Sequence, residues 1–261
     1  MYIRRTLEQQ FLKASSHFSV MLVTGARQVG KTTFLRELCD KGRSYASLDD
    51  PRVLELARSD PALFMQRYPG PVIIDEIQYA PELLPYIKMA VDEEKIPGRF
   101  WLTLTGSQQF HLMKEVSESL AGRVAILRML GLSRRERDGV TVSTDPFLPT
   151  PSVLEPRLES MTTLALPDLY DLIWRGAYPA LAIDLAMDRD LYYSSYVQTY
   201  LQRDVRDLAR VGDETAFLRF VRACAARSAQ ILNFADLARD ANVAPNTAKS
   251  WLFWTRDSVP G

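Results

Sequence analysis

The chain has 261 residues, 47% hydrophobic and 25% charged, with lysine plus arginine equal to aspartate plus glutamate. That length and balance exclude a disordered chain and fit one large soluble globular domain or two ordinary ones. A formal net charge of zero excludes a whole-body basic field, so any nucleic-acid contact has to be local.

Cys39 and Cys224 are far apart, which argues against a disulfide framework or a zinc site and for two buried thiols in a reducing compartment. His17 and His111 are too few for a histidine-rich metal site. The stretch Met1 to Lys13 carries Arg4, Arg5 and Glu8 and has no apolar core of signal-peptide length. No window has the uninterrupted apolar length of a transmembrane helix. The expectation is a cytoplasmic protein with no membrane partner.

In chain order, Ser19 to Thr24 is a short apolar run. Gly25-Ala-Arg-Gln-Val-Gly-Lys-Thr-Thr33 follows it, and then Phe34 to Leu38. This reads as strand, glycine-bounded loop and helix. Arg43 to Leu48 fits a second strand. Asp49-Asp50-Pro51 opens a helix, because Asp accepts from free N–H groups and Pro is tolerated in the first turn. Pro71 to Glu76 is an unbroken apolar run ending in two acids, as in a central strand covered on both faces. Pro81 and Pro85 mark the start of a helix with Leu84, Ile87 and Val91 on one side. Phe100 to Thr105 and Val124 to Leu130 are further strands. Strands alternating with helices predict an α/β fold with a parallel sheet.

From Asp138 to Pro167, Thr, Ser and Pro dominate, which suggests a linker or long excursion. Beyond it the chain reads as helical: Leu191 to Val211, Glu214 to Ala229, then Phe234 to Ala241 and Asn246 to Leu252 around a tight turn at Val243-Ala-Pro245. The expected division is 1–137, a connecting stretch 138–167, and a helical domain 168–261.

Gly25 to Thr32 fits G-x-x-x-x-G-K-[ST]. Its glycines let the backbone curl so that N–H groups converge on phosphate oxygens, and the following helix adds the positive end of its dipole. The cradle comprises Gly25, Ala26, Gln28, Val29, Gly30, Lys31, Thr32 and Thr33. Lys31 would reach the β- and γ-phosphates, and the Thr32 hydroxyl would ligate Mg²⁺. Asp75 can hold the metal's water shell opposite Thr32, and Glu76 can orient and deprotonate an attacking water. Thr105-Gly-Ser-Gln108 admits two readings, a γ-phosphate contact or an ordinary strand-ending turn. Arg123 could stabilise transition-state charge in cis or across a subunit interface; a solvated surface arginine is the plain alternative. The terminal helix pair resembles a helix-turn-helix. Lys249 and Arg239 are its cations and Asp236 and Asp240 offset them, so DNA binding and a helical packing module both stand.

These features resemble the bacterial and archaeal AAA-family ATPases that carry a carboxy-terminal domain of unknown function. Gly25 to Thr32, Leu48-Asp-Asp-Pro51, Ile74-Asp-Glu-Ile-Gln78, Leu104-Thr-Gly-Ser-Gln108, Ser119-Leu-Ala-Gly-Arg123, Gly176-Ala-Tyr-Pro179 and Tyr196 to Val205 carry the resemblance. It implies an additional-strand P-loop fold, with the sensor strand between the two nucleotide-motif strands, and ATP with Mg²⁺. It assigns Asp75 to the metal, Glu76 to acid-base work, Ser107 to the sensor and Arg123 to the finger. An arginine acting in trans implies a homo-oligomer. Similar sequences continue through a wing and a further α/β portion, so a truncated or partial chain is expected here. The resulting expectation is Mg²⁺-dependent ATP hydrolysis coupled to a conformational change. The alternative is a nucleotide-gated module that binds DNA or protein through its C-terminal helices with little turnover.

Overall fold

Helix α1 (Leu7–Ser15) leads into strand β1 (Val20–Gly25), every residue of which is buried. The computed structural model describes residues 2–105, 109–140, 148–159, 163–200 and 214–256. After β1 come α2 (Lys31–Leu38), β2 (Ser44–Ser47), α3 (Pro51–Ser59), α4 (Pro61–Arg67), β3 (Val72–Asp75), α5 (Leu83–Glu93), β4 (Phe100–Thr105), α6 (Gln109–Leu120) and β5 (Val124–Arg128). The strands form one five-stranded sheet in the order β2-β3-β4-β1-β5, parallel throughout. β4 lies between β1 and β3, with Phe100 paired to both Val20 and Val72. This is the additional-strand P-loop arrangement.

The unbroken apolar runs follow from burial on two faces. Met21, Val23, Ile73 and Trp101 face one side, against Phe11, Phe34 and Leu35. There Phe11 meets Phe34 and Trp101 edge-on, with ring centroids 5.3 and 4.8 Å apart. Val20, Leu22, Ile74, Phe100 and Leu102 face the other side, against Phe64, Leu84, Ile87 and Val91. Asp50 starts α3 by accepting from the Arg52 N–H at 2.9 Å, and Asp60 starts α4 by accepting from the Leu63 N–H at 2.9 Å. Proline follows each cap, where its missing N–H costs nothing. β5 stops at Arg128, short of the expected Leu130, because the chain turns off there towards α7 (Arg134–Arg137).

The expected linker contains a helix, α8 (Pro151–Glu159), despite Pro156 inside it. It buries none of its residues, so no apolar periodicity announced it. Then come α9 (Leu166–Arg175), α10 (Pro179–Ile183), α11 (Arg189–Tyr200) and the helices Glu214–Ala226, Phe234–Ala241 and Pro245–Arg256. The long helix expected over Leu191 to Val211 is α11 as far as Tyr200, and its remainder lies outside the described residues. Phe217, Phe220 and Trp251 pack ring on ring at 5.1–5.9 Å. Asn233 caps Phe234–Ala241, and Asn242, at φ 54°, ends it in a left-handed turn. The expected pair of short helices around a tight turn is therefore present. No described helix is long and apolar enough to cross a membrane.

The helical region sits directly on the sheet region. The Leu132 N–H donates to Ala177 O at 2.7 Å. A Cβ at Gly131 would lie 2.6 Å from the Ala177 Cβ, so only glycine permits this approach.

Candidate functional site

β1 delivers the chain into the loop through Gly25, at φ 152°. A Cβ there would fall 2.3 Å from Met129 O on the neighbouring segment, which forbids any side chain. Gln28 at φ 60° and Gly30 at φ 94° complete the reversal, and α2 begins at Lys31. The first N–H groups of α2 have no partner within the helix and carry the positive end of its dipole. Lys31 is buried, and its Nζ donates to Gly25 O at 3.1 Å and Ala26 O at 2.7 Å. The ammonium is thus held inside the curl of the loop.

Asp75 is a buried acid at the end of β3. Thr32 Oγ1 donates to its two oxygens at 3.0 and 2.9 Å, the Tyr45 hydroxyl donates at 2.7 Å, and Thr103 Oγ1 donates to Oδ1. A carboxylate buried without such donors would be strongly disfavoured. The Asp75 hydrogen bond and burial both push the Tyr45 phenol upward, burial most, to about 12. The Thr32 hydroxyl and Asp75 carboxylate are adjacent hard oxygen donors, a set that fits Mg²⁺.

Glu76 adopts a left-handed conformation, φ 63°, which costs a residue other than glycine about 1–3 kcal/mol. Its N–H donates to Thr103 Oγ1 at 2.8 Å, Thr105 Oγ1 donates to its Oε1 at 2.7 Å, and Gln78 Nε2 donates to Oε2. The side chain is thereby aimed from the strand end and not left to swing.

Gly25 through Thr33, Asp75 and Glu76 come together at the C-terminal ends of β1 and β3. Ser107 lies outside the described residues. The cis reading of Arg123 is corrected. Arg123 precedes β5, and its carbonyl accepts from Val20, the first residue of β1. The whole of β1, about 17 Å at the usual strand rise, separates it from the loop of its own chain. Its guanidinium makes a two-point contact with Asp92, at 2.6 and 3.0 Å.

Sequence reasoning missed Tyr45, Gln78, Thr103 and Thr105. The available signal was a pair of threonines two apart in a fully buried strand, since buried hydroxyls need partners. It also missed Arg5. That buried side chain donates to Val29 O at 3.0 Å, Leu130 O at 2.6 Å, Gly131 O at 3.1 Å and Glu136 Oε1 at 3.2 Å. Burial would raise the pKa of Glu136. The Ser133 and Thr6 N–H groups and the Arg5 charge outweigh it and hold the carboxyl below its ordinary value. From the helical region, the Tyr192 hydroxyl donates to Gln28 Oε1 at 2.6 Å.

An AAA domain family matches residues 17–137, and the domain of unknown function DUF8612 matches residues 166–258. The chain thus carries a segment that matches the AAA domain, followed by one that matches this C-terminal domain. It is similar to the uncharacterized proteins Rv2008c of Mycobacterium tuberculosis and Mb2031c of Mycobacterium bovis, at 28% identity over 259 residues. Each match covers 98% of this chain and 52% of the relative, so the chain spans about half the length of those curated relatives. Among solved structures, the Walker-type ATPase paby2304 of Pyrococcus abyssi matches over 96% of each chain, at 13% identity and a TM-score of 0.48.

Proposed function

We propose that this AAA-domain protein binds ATP and hydrolyses it with Mg²⁺, and that turnover moves the helical region. The observation that carries the reading is the Thr32 hydroxyl lying 2.9–3.0 Å from both oxygens of buried Asp75, next to a lysine held within the loop. Thr32 and Asp75 would hold the metal. When bound, Mg²⁺ would neutralise charge on the β- and γ-phosphate oxygens. The loop N–H groups from Ala26 to Thr33 would hold the phosphates, and Lys31 would exchange loop carbonyls for phosphate oxygens. Glu76 would take a proton from the water whose oxygen bonds to the γ-phosphorus, as the bond to the β,γ-bridging oxygen breaks and ADP leaves. Each Glu76 oxygen accepts one hydrogen bond from Thr105 or Gln78 and keeps a further lone pair for that proton. The division 1–137 and 168–261 assigns chemistry to the first part and response to the second.

The test is ATP binding and steady-state hydrolysis by the wild type, Lys31→Ala and Glu76→Gln. Loss of binding in the first variant and binding without turnover in the second support the proposal. A wild type that binds but never turns over supports the second reading, a nucleotide-gated module. What favours a DNA partner for such a module is the exposed polar face Asn246, Lys249 and Ser250 on the second helix of the terminal pair. Against it, Arg239 pairs with Asp236 at 2.8 Å and Arg227 with Asp240 at 2.7 Å. A steep fall of DNA affinity with salt would support phosphate contacts. For Arg123, a role in turnover requires a neighbouring copy, and equal activity per chain across a wide dilution series would exclude one.

A further inference from the structure

We propose that Tyr192, in the helical region, is a positioning residue for the phosphate loop and acts through Gln28. The inference rests on the nucleotide-binding reading above. Gln28 holds a left-handed backbone, φ 60°, which a residue with a side chain adopts only when its surroundings impose it. It lies in the stretch whose N–H groups form the anion cradle, so its conformation sets where those groups point. The surroundings that impose it come from far along the chain. The Tyr192 hydroxyl donates to Gln28 Oε1 at 2.6 Å across 164 positions of sequence.

The donor is itself fixed. The Tyr192 ring lies 5.5 Å from the Tyr178 and Tyr193 rings and stacks on Tyr196 at 6.5 Å. Tyr178 is buried in the same apolar cluster as Val29, the next residue of the loop. Pro179 adds a second contact, with its Cγ 3.9 Å from where a Cβ of Gly30 would stand. The acceptor is not fixed in this way. Gln28 is exposed and borders a 340 Å³ cavity lined by Met187, Leu191, Tyr192 and Tyr196, so its amide has room to swing once the hydroxyl is gone. A rigid donor holding a mobile acceptor means that the helical region dictates the loop's shape. By reciprocity, a nucleotide that favours this loop shape also tightens the helical region onto the sheet.

The experiment is ATP titration and steady-state kinetics of wild type, Tyr192→Phe, Gln28→Met and the double variant, with thermal melts of each without nucleotide. Tyr192→Phe keeps the ring and removes one hydrogen bond. It should weaken ATP binding and raise KM about three- to tenfold, with kcat and melting temperature held. Gln28→Met should weaken ATP binding by a similar factor, and the double variant should bind no worse than either single one. Wild-type affinity in Tyr192→Phe, or losses that simply add in the double variant, would overturn the inference and leave the nucleotide reading standing. A wild type that binds no ATP would remove both.

Discussion

Ile74 in β3 and Ile173 in α9 are the same residue type, yet the first is 0% exposed and the second 67%. The contrast extends to their neighbourhoods. Around Ile74, each strand residue meets a helix on one face of the sheet or the other, and both apolar clusters close over it. In α9, Leu166, Leu169, Tyr170, Ile173 and Trp174 fall at i, i+3, i+4, i+7 and i+8, the spacing of one helix face. All five are exposed, Trp174 by 62%. An apolar pattern thus marks a filled core in one region and an open stripe in the other. Periodicity identifies a face; only the presence of a second layer buries it. The site is built in the first kind of region, where rigid packing holds the polar groups.

The largest test of that rigidity is chemical. Glu76→Gln keeps the shape of the side chain and one oxygen to accept from Thr105, at the cost of the bond from Gln78 to the second oxygen, and removes the base. Turnover should fall about 10²- to 10⁴-fold with ATP affinity nearly unchanged, measured by steady-state hydrolysis alongside equilibrium binding. Equal losses of turnover and affinity would mean that Glu76 shapes the pocket and does no proton transfer.

Next in size is the Arg5–Glu136 pair, with side chains 5% and 7% exposed. Removing one partner of a buried pair leaves the other charge stranded. Arg5→Met should therefore cost about 3–5 kcal/mol in denaturant unfolding, and should loosen the loop through Val29 O. The pair also predicts a pH dependence. The folded Glu136 pKa lies below its ordinary value of 4.5, so folding favours the ionised form. Its contribution is complete above that value and is lost as pH falls through the lowered folded value. Glu136→Gln should remove this acid-side slope, although its single amide oxygen can accept from only one of the Thr6 and Ser133 N–H groups, which meet different carboxylate oxygens. An unchanged acid limb would mean that other carboxylates govern it.

How much of this was legible follows from the range of the interactions involved. The loop, Asp75 and the start of α3 were readable because each is a local pattern: a glycine-bounded turn, an acid after an apolar run, a cap before a proline; the strand order came only through the family resemblance. Tyr45, Thr103 and Thr105 were not, because they meet Asp75 and Glu76 only through strand pairing, between 27 and 30 positions away for the bonds they form. Arg5 is a longer case, joining Glu136 across 131 positions. The Ser133–Glu136 capping box has the local Ser-x-x-Glu spacing, a signal the sequence reading passed over, and nothing local announces that its glutamate also receives an arginine. α8 escaped because it buries no residue.

The smallest expected effect separates the two isoleucines. Ile74→Ala deletes methyl groups from a packed core and should cost about 2–5 kcal/mol. Ile173→Gln exchanges an exposed apolar side chain for a polar one of good helix propensity, with no cavity created. Its cost should stay within about 0.5 kcal/mol. Tyr170→Gln, on the same stripe, should behave alike. Chemical denaturation of the three variants against wild type decides the matter, provided the slopes with denaturant agree. If Ile173→Gln approached Ile74→Ala in cost, the stripe on α9 would be buried in solution, and the contrast between the two regions would fail. If it is silent, the polar variant should also lower any tendency to associate through exposed apolar surface, which sedimentation of wild type and variant at matched concentrations would register.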